Sequence, residues 1–441
     1  MGIPTLEGLQ IALTGLNAGQ ESLDVIGQNI ANAQTPGYTR QTAVLQTSPS
    51  IEIAALSPTT GEGAQLGTGV DVQTIARIRD SYLDAQYRNA SSTLAGASTI
   101  AETLEQVQGA LAEPSSAGLS ARLATFWNAW NSLASSTTNA GARESVVSAG
   151  EEVAATLNAL SSDITGASVE AAKHYEAITA SGGEVAKDAQ QIAELNTQIK
   201  LAEQGGISSP NELLDRRDQL VDELSKLASV SVSEAQDGAI TVSFGDATEP
   251  LVEDATVHWP QGLTSAAGGQ LGALLSLSEP EGQLAKLSGA LNEVAETLAE
   301  TVNALQPRAP FFTFSAGAPA ASIAVTATPA QLQTGPEGEP GANDLANALA
   351  GLRGGEAESL YSAFVTRVGA GVKAANADVA NAEAVHSAVA DQRQSVSGVS
   401  MDEEMTNLIT FQRGYEASAR ALTAMDQMLE TLIDHTGTAG L

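Results

Sequence analysis

Cysteine is absent from the 441 residues. That excludes disulfides, thiolate metal sites, iron–sulfur clusters and a cysteine nucleophile. Positive charge is scarce: 20 Lys and Arg stand against 52 Asp and Glu, for a net charge of −32. A chain so poor in Lys and Arg is unsuited to a nucleic-acid backbone or an anionic membrane surface, and its charge reads as solubility. Aromatic residues make up 4% of the chain, so a core of Leu, Ala, Val and Ile in long, thin helical layers is expected. No run of about 20 apolar residues is present, which argues against a membrane span. A basic region followed by an apolar stretch is also missing, because the first basic residue is Arg40. The chain is therefore expected to stay in the cytoplasm or to leave the cell without a cleaved signal peptide.

Motifs for catalysis are equally thin. His174, His258, His386 and His435 are scattered, and none lies four residues from another, so no helical zinc pair forms. No Lys follows a Gly and no GxSxG occurs, which removes the P-loop and the nucleophile elbow. Gly61, Gly63 and Gly67 are one residue too widely spaced for a dinucleotide fingerprint and read as a flexible loop. The pairs Glu151-Glu152 and Glu403-Glu404 lie in helical patterns and read as solvated faces. No cofactor, metal or enzymatic activity is expected.

What the chain does contain is helical periodicity. Leu6, Leu9, Leu13, Leu16, Leu23 and Ile30 follow steps of three and four over residues 4–32, with Ile26 beside them and Gln20 and Gly27 in the two remaining seam places. That is a heptad seam. It is expected to stop near Asn32, before the turn Thr35-Pro36-Gly37-Tyr38. A second heptad covers 400–435: Met401, Met405, Leu408, Tyr415, Ala419, Leu422, Leu429 and Ile433, with Gln412 and Asp426 as polar exceptions. Between them, 39–76 reads as an extended arm with short strands, and 77–228 as long antiparallel helices. Ser209 and Pro210 are expected to start one of these helices as N-cap and first residue. Residues 229–259 alternate as strands about Asp237-Gly238, a hairpin signal. Residues 281–305, 343–353 and 357–396 are again helical, and 306–341, with six prolines, reads as a small β-rich insertion.

At about 150 residues per domain the length suggests about three domains. The expected fold is mainly α with β inserts. Residues 1–34 plus 397–441 form paired terminal heptad helices. Residues 35–305 plus 342–396 form a long antiparallel helical body, carrying the arm (35–76) and the hairpin region (229–259). Residues 306–341 form a reduced outer insertion. From the heptads alone, pairing of the two ends and separate packing of each end on the body remain equally open.

The residues from Asn29 through Asn32 and Thr35-Pro36-Gly37-Tyr38 to Gln41, after Leu13-Thr14-Gly15-Leu16-Asn17-Ala18, resemble the N-terminal signature of bacterial flagellar axial proteins. The Pro-Gly-Tyr-Thr-Arg-Gln form is closer to the hook-associated members. Gly398-Val399-Ser400-Met401-Asp402-Glu403-Glu404, with Gln412, Tyr415 and Ala419 beyond it, is similar to that family's C-terminal block. The resemblance covers roughly 80 residues at the two ends and is looser between them.

The resemblance implies a structural adaptor, not an enzyme, that joins flagellar hook to filament. Terminal helices would enter a tubular inner core and become ordered on assembly. It implies extracellular location after type III export. Its implied partners are the hook protein, a second hook-associated junction protein, further copies of the chain in a ring, and a cytoplasmic chaperone on the C-terminal helix. Leu6, Leu9, Leu13, Leu16, Leu23, Ile26 and Ile30 would carry N-terminal axial packing. Met405, Leu408, Tyr415, Leu422, Leu429 and Ile433 would carry C-terminal packing and chaperone contact. Asn29, Asn32, Thr35, Pro36, Gly37 and Tyr38 form the signature turn. A hook or rod subunit, and a type III secreted coiled-coil effector or adhesin, remain as alternatives.

Overall fold

The computed structural model describes residues 4–53, 64–207, 209–336, 339 and 341–436. Gly61 and Gly63 of the expected loop, and the side chain of Leu6, lie outside the described residues. The chain opens with helix α1 (Pro4–Asn32), followed by strands β1 (Gln41–Thr47), β2 (Ile51–Ile53), β3 (Ala64–Leu66) and β4 (Val70–Arg77). Five helices follow: α2 (Ser81–Leu111), α3 (Leu119–Ser135), α4 (Ala140–Thr179), α5 (Glu184–Gln204) and α6 (Asn211–Leu227). Strands β5 (Val230–Glu234), β6 (Ile240–Phe244), β7 (Val252–Glu253) and β8 (Thr256–Val257) form an antiparallel meander. Helices α7 (Gly269–Ser278) and α8 (Gln283–Ala304) lead to β9 (Phe312–Thr313), the short α9 (Pro319–Ser322) and β10 (Ala324–Val325). Helices α10 (Asp344–Ala350), α11 (Glu356–Ser397) and α12 (Met401–Thr436) complete the chain.

Local chemistry sets many of these boundaries. Asp80 accepts from the backbone N–H of Tyr82 and Leu83 and so caps α2, and Asn139 caps α4 in the same way. The Asp237-Gly238 turn closes β5 against β6, with Gly238 at φ +74°. Helix α6 starts one residue later than the sequence suggests. Pro210 precedes its first residue, and the Ser209 hydroxyl pairs with Thr74 Oγ1 at 3.1 Å instead of capping the helix. A side chain claimed by a long-range partner is not available to the local N–H groups.

The body is α2 to α11. Helices α2 and α11 run side by side, and α3, α4, α7, α8 and α10 pack around a shared core. Its centre is a ring cluster of Phe126, Trp130, Phe311 and Phe312, with centroids 4.7–6.2 Å apart. The segment expected as a small outer insertion does form the two-stranded β9–β10 pair. Its apolar residues turn inward, however: Phe311, Phe312, Ala320, Ile323 and Leu332 are buried in the common core. With so few rings available, the body uses those of this segment to fill its centre, because interiors tolerate few voids.

Helices α1 and α12 pack on each other, antiparallel, and the paired strands β1 and β4 pack along α1. These four elements form a terminal unit. The chain crosses from unit to body at residues 78–80, after β4, and again at 398–400, between α11 and α12.

Candidate functional site

On the α1 side, the surface between α1 and α12 is built from small residues. Ideal Cβ atoms placed on Gly8, Gly15 and Gly19 would lie 2.9 Å from Met425, 3.1 Å from Ser418 and 3.5 Å from Tyr415. The contact row on α1 is therefore Gly8, Ala12, Gly15, Gly19, Ser22, Ile26 and Asn29, with Ala12, Gly19, Ser22, Ile26 and Asn29 buried. Its steps are four and three throughout, one residue displaced from the row of leucines. Interaxial distance depends on the side chains at the contact, so glycines let two helices approach closely.

The leucines flank this contact. Leu9, Leu16, Leu23 and Ile30 are half-buried, and Leu13 is 43% exposed. Of the seven candidate N-terminal packing residues, Ile26 lies on the contact row itself. On α12 the described row facing α1 is Glu404, Leu408, Phe411, Tyr415, Ser418, Leu422, Met425 and Leu429. Leu408, Tyr415, Leu422 and Leu429 keep the places the heptad assigns. The alternate places belong to Phe411 and Met425, which leaves the polar exceptions Gln412 and Asp426 in solvent. Met405 and Ile433 are 47% and 67% exposed.

At the base of this pair the signature turn becomes a hydrogen-bonded knot. Asn29 is buried and uses all four of its side-chain hydrogen-bonding places. Its Nδ2 donates to Gln41 O at 2.8 Å and to Glu404 Oε2 at 3.1 Å. Its Oδ1 accepts from Tyr38 Oη at 2.8 Å and from Gln41 N at 3.0 Å. Such saturation is what makes a buried amide tolerable. Burial, with Asp215, Glu404 and Glu212 nearby, pushes the Tyr38 hydroxyl up to about 12, so it stays protonated and donates. Asn32 donates to Gln28 O at 3.0 Å and accepts from the Thr35 hydroxyl at 3.2 Å. Pro36 is exposed at the tip of the turn, and Gly37 adopts φ +80° beside Gln219. A side chain at that φ is strained, which accounts for the glycine.

Glu404 corrects the reading of Glu403-Glu404 as a solvated face. It is 1% exposed, and Arg40 Nε donates to its Oε1 at 2.8 Å. The exposed Glu403 receives Arg40 Nη1 at 2.6 Å. Arg40 thus holds the first turn of α12, where carboxylates also face the positive end of the helix dipole. Sequence reasoning missed this pair, since helical spacing does not reveal a partner more than 360 residues away.

Behind the knot, where the end of β4 meets the body, Arg77, Arg79, Arg88 and Arg393 interleave with Asp84, Asp215, Asp218 and Asp222. Burial works to raise the Asp218 carboxyl, but Arg79, Arg77 and Arg88 outweigh it and hold it below the usual carboxylate range. In a chain with 20 cationic side chains, four are committed to this one place.

Comparison with known proteins fits this arrangement at both ends. Residues 9–39 match the family model "Flagella basal body rod protein", and residues 390–434 match "Flagellar basal body rod FlgEFG protein C-terminal". The paired terminal helices thus define a flagellar axial protein. Residues 104–261 match "Flagellar hook-associated protein FlgK helical domain". The chain is 28% identical to flagellar hook-associated protein 1 of Bacillus subtilis (strain 168), over 99% of both chains. It is 32% identical over 257 residues to flagellar hook-associated protein 1 of Salmonella typhimurium (strain LT2), covering 58% of this chain and 44% of that protein. A solved structure, the flagellar hook junction protein FlgK from Burkholderia pseudomallei, aligns over 52% of this chain and 47% of its own, with 22% identity and a TM-score of 0.46. Over nearly its whole length the chain is thus similar to flagellar hook-associated protein 1.

Proposed function

We propose that this protein is the structural adaptor that joins the flagellar hook to the filament. One observation carries the reading. Helix α1 uses its small residues for the contact with α12, and the pair leaves Leu13, Met405, Ile409 and Ile433 uncovered along its length. Uncovered apolar rows on a helix pair call for neighbours. The proposed neighbours are hook subunits on one side and a second junction protein on the other, with copies of this chain between them in a ring. Covering the rows would complete the ordering of the terminal helices, above all at their distal ends, farthest from the Asn29 knot.

Export as an unfolded chain by the type III route, to the outside of the cell, follows from the same reading. Before export, Leu408, Tyr415, Leu422 and Leu429 would be taken by a cytoplasmic chaperone in place of α1. Leu422→Asp is expected to lower both chaperone binding and filament attachment, and unchanged binding by calorimetry would count against the chaperone role.

The experiment that tests the adaptor role is deletion of the chain, with negative-stain electron microscopy of the cells and assay of flagellin in the medium. Hooks without filaments, with flagellin lost to the medium, are expected. Missing hooks would move the protein to a hook or rod part. Normal filaments would defeat the axial role and favour a secreted coiled-coil effector or adhesin.

A further inference from the structure

The terminal unit and the body are joined by polar bonds. Thr39 N donates to Asp215 Oδ2 at 3.1 Å, and Arg77 reaches Asp215 and Asp218 at 2.8 and 2.7 Å. Asn211 Nδ2 donates to Ile75 O at 2.8 Å and to Gln41 Oε1 at 3.1 Å. Thr74 meets Ser209, and Arg40 N donates to Ser397 O at 2.9 Å. On the body side the first half of α6 supplies most of these partners. Neither α1 nor α12 packs extensively on a body helix.

Two further features coincide with this joint. A polar cleft of about 350 Å³ opens at it, between the signature turn, α6 and the end of α11, with Tyr38, Asp215, Lys226 and Arg393 in its lining. Between α11 and α12 the chain leaves helical geometry, with Gly398 extended at φ −77°, ψ 160°. The cleft gives side chains and water room to exchange partners. The non-helical link lets α12 swing without bending a helix.

From this we propose that the joint is a polar hinge, on which the terminal unit pivots as one piece relative to the body. The physical basis is the kind of bond that crosses it. A hydrogen bond or ion pair beside a wet cleft is replaced by bonds to water at small net cost. A packed apolar contact has no such substitute, because parting it leaves a void or exposes surface. A joint of the first kind holds one orientation at rest and gives it up when its charges are removed. Hinge motions of this sort are absorbed at a few positions between rigid elements, here residues 78–80 and 398–400. The inference does not depend on the adaptor role, since it concerns the isolated chain.

The absence of native cysteine makes the test direct. Spin labels on Glu102→Cys in α2 and Thr410→Cys in α12, both exposed positions, report distance across the joint. Labels on Asp24→Cys and Thr410→Cys report distance within the terminal unit. Pulsed electron paramagnetic resonance on the full chain should give one narrow distance for each pair at low salt. In the Arg77→Gln, Asp215→Asn background, which removes the charged side-chain bonds that cross the joint, the cross-joint distance should lose its single narrow peak, while the distance within the unit keeps its own. An unchanged cross-joint peak would mean that other contacts fix the joint, which overturns the proposal. So would loss of both peaks, which would be melting of the terminal unit instead of pivoting. A broad cross-joint distance in the unsubstituted chain would show that the polar bonds hold nothing.

Discussion

Trp130, at the centre of the body, has no exposed surface, whereas Leu13, in the leucine row of α1, is 43% exposed. Both stand in strongly apolar helical patterns, yet the two regions treat that pattern differently. The body turns its largest apolar side chains toward one another. Phe126, Trp130, Phe311 and Phe312 come from two distant segments and close the core within one chain. In the terminal unit, α1 puts glycine, alanine and serine at its contact with α12 and keeps its leucines on the flanks, while Met405, Ile409 and Ile433 of α12 stay exposed. Glycine in a helix interior costs about 1 kcal/mol relative to alanine, so α1 gives up intrinsic stability for a close approach to α12. A helix that turns its small residues to one partner and its leucines outward is arranged for further company.

The largest loss is expected in the body. Phe311→Ala opens a cavity against Phe126 and Trp130, and about 3–5 kcal/mol of stability should be lost. Thermal unfolding followed by near-ultraviolet circular dichroism would check it, and a change below about 1 kcal/mol would mean the core does not rest on this ring. Asn29→Ala should come next, at about 2–4 kcal/mol, since it takes a hydrogen-bond partner from the Tyr38 hydroxyl, from the Gln41 backbone N–H and C=O, and from Glu404 Oε2. Here hydrogen exchange should show faster exchange in α1 and α12, with α3 and α4 protected as before.

Gly19→Leu tests the small-residue contact. Its side chain must force α1 away from Tyr415, for a loss of about 1–3 kcal/mol confined to the terminal unit by the same measurement. A seam that ran through the leucines instead would absorb this change without loss.

Asp188 on α5 is the body's counterpart to Glu404, a carboxyl buried without the partners that Glu404 has. Its Oδ2 has no hydrogen-bond partner. Burial, then Glu223 and Glu184, pushes its carboxyl up from 3.8 to about 6. The folded chain therefore holds this proton more tightly than the unfolded chain does. This group's contribution falls as pH rises from about 4 to about 6 and is lowest above that. Asp188→Asn should raise stability by about 1–3 kcal/mol at pH 7.5. The gain should disappear near pH 4, and a pH-independent gain would contradict the assignment. The smallest effect is expected from Leu13→Ala, under about 1 kcal/mol in the isolated chain, read as an unchanged unfolding curve. The same variant should assemble poorly if the leucine row meets neighbours.

Much of this architecture was legible in the residues. The end of α1 at Asn32, the β1 and β4 strands, the Asp237-Gly238 hairpin and the heptad of α12 all carry local signals, because turns, caps and periodicity act over a few residues. The contact row was legible as well, but in an unexpected place. Gly8, Ala12, Gly15, Gly19 and Ser22 repeat in steps of four and three as regularly as the leucines do. On α12, moving one row by one residue removes both polar exceptions. Reading periodicity by the largest side chains favours the row that looks most like a core, and here that row is the flank.

What the sequence determined by itself is therefore the inventory: two amphipathic terminal helices, a helical body with β inserts, an acidic surface, and the signature that links Asn29 to Tyr38. Tertiary structure decided how that inventory is used. It brought Glu404 to Arg40 and Asn29, turned Phe311 and Phe312 toward Trp130, and gathered four arginines and four aspartates behind the signature turn. The physical reason is range. Helix periodicity and turn chemistry are set by neighbours in the chain, whereas the burial of a charge and the choice of a contact row depend on surfaces that meet only after the chain has folded back on itself.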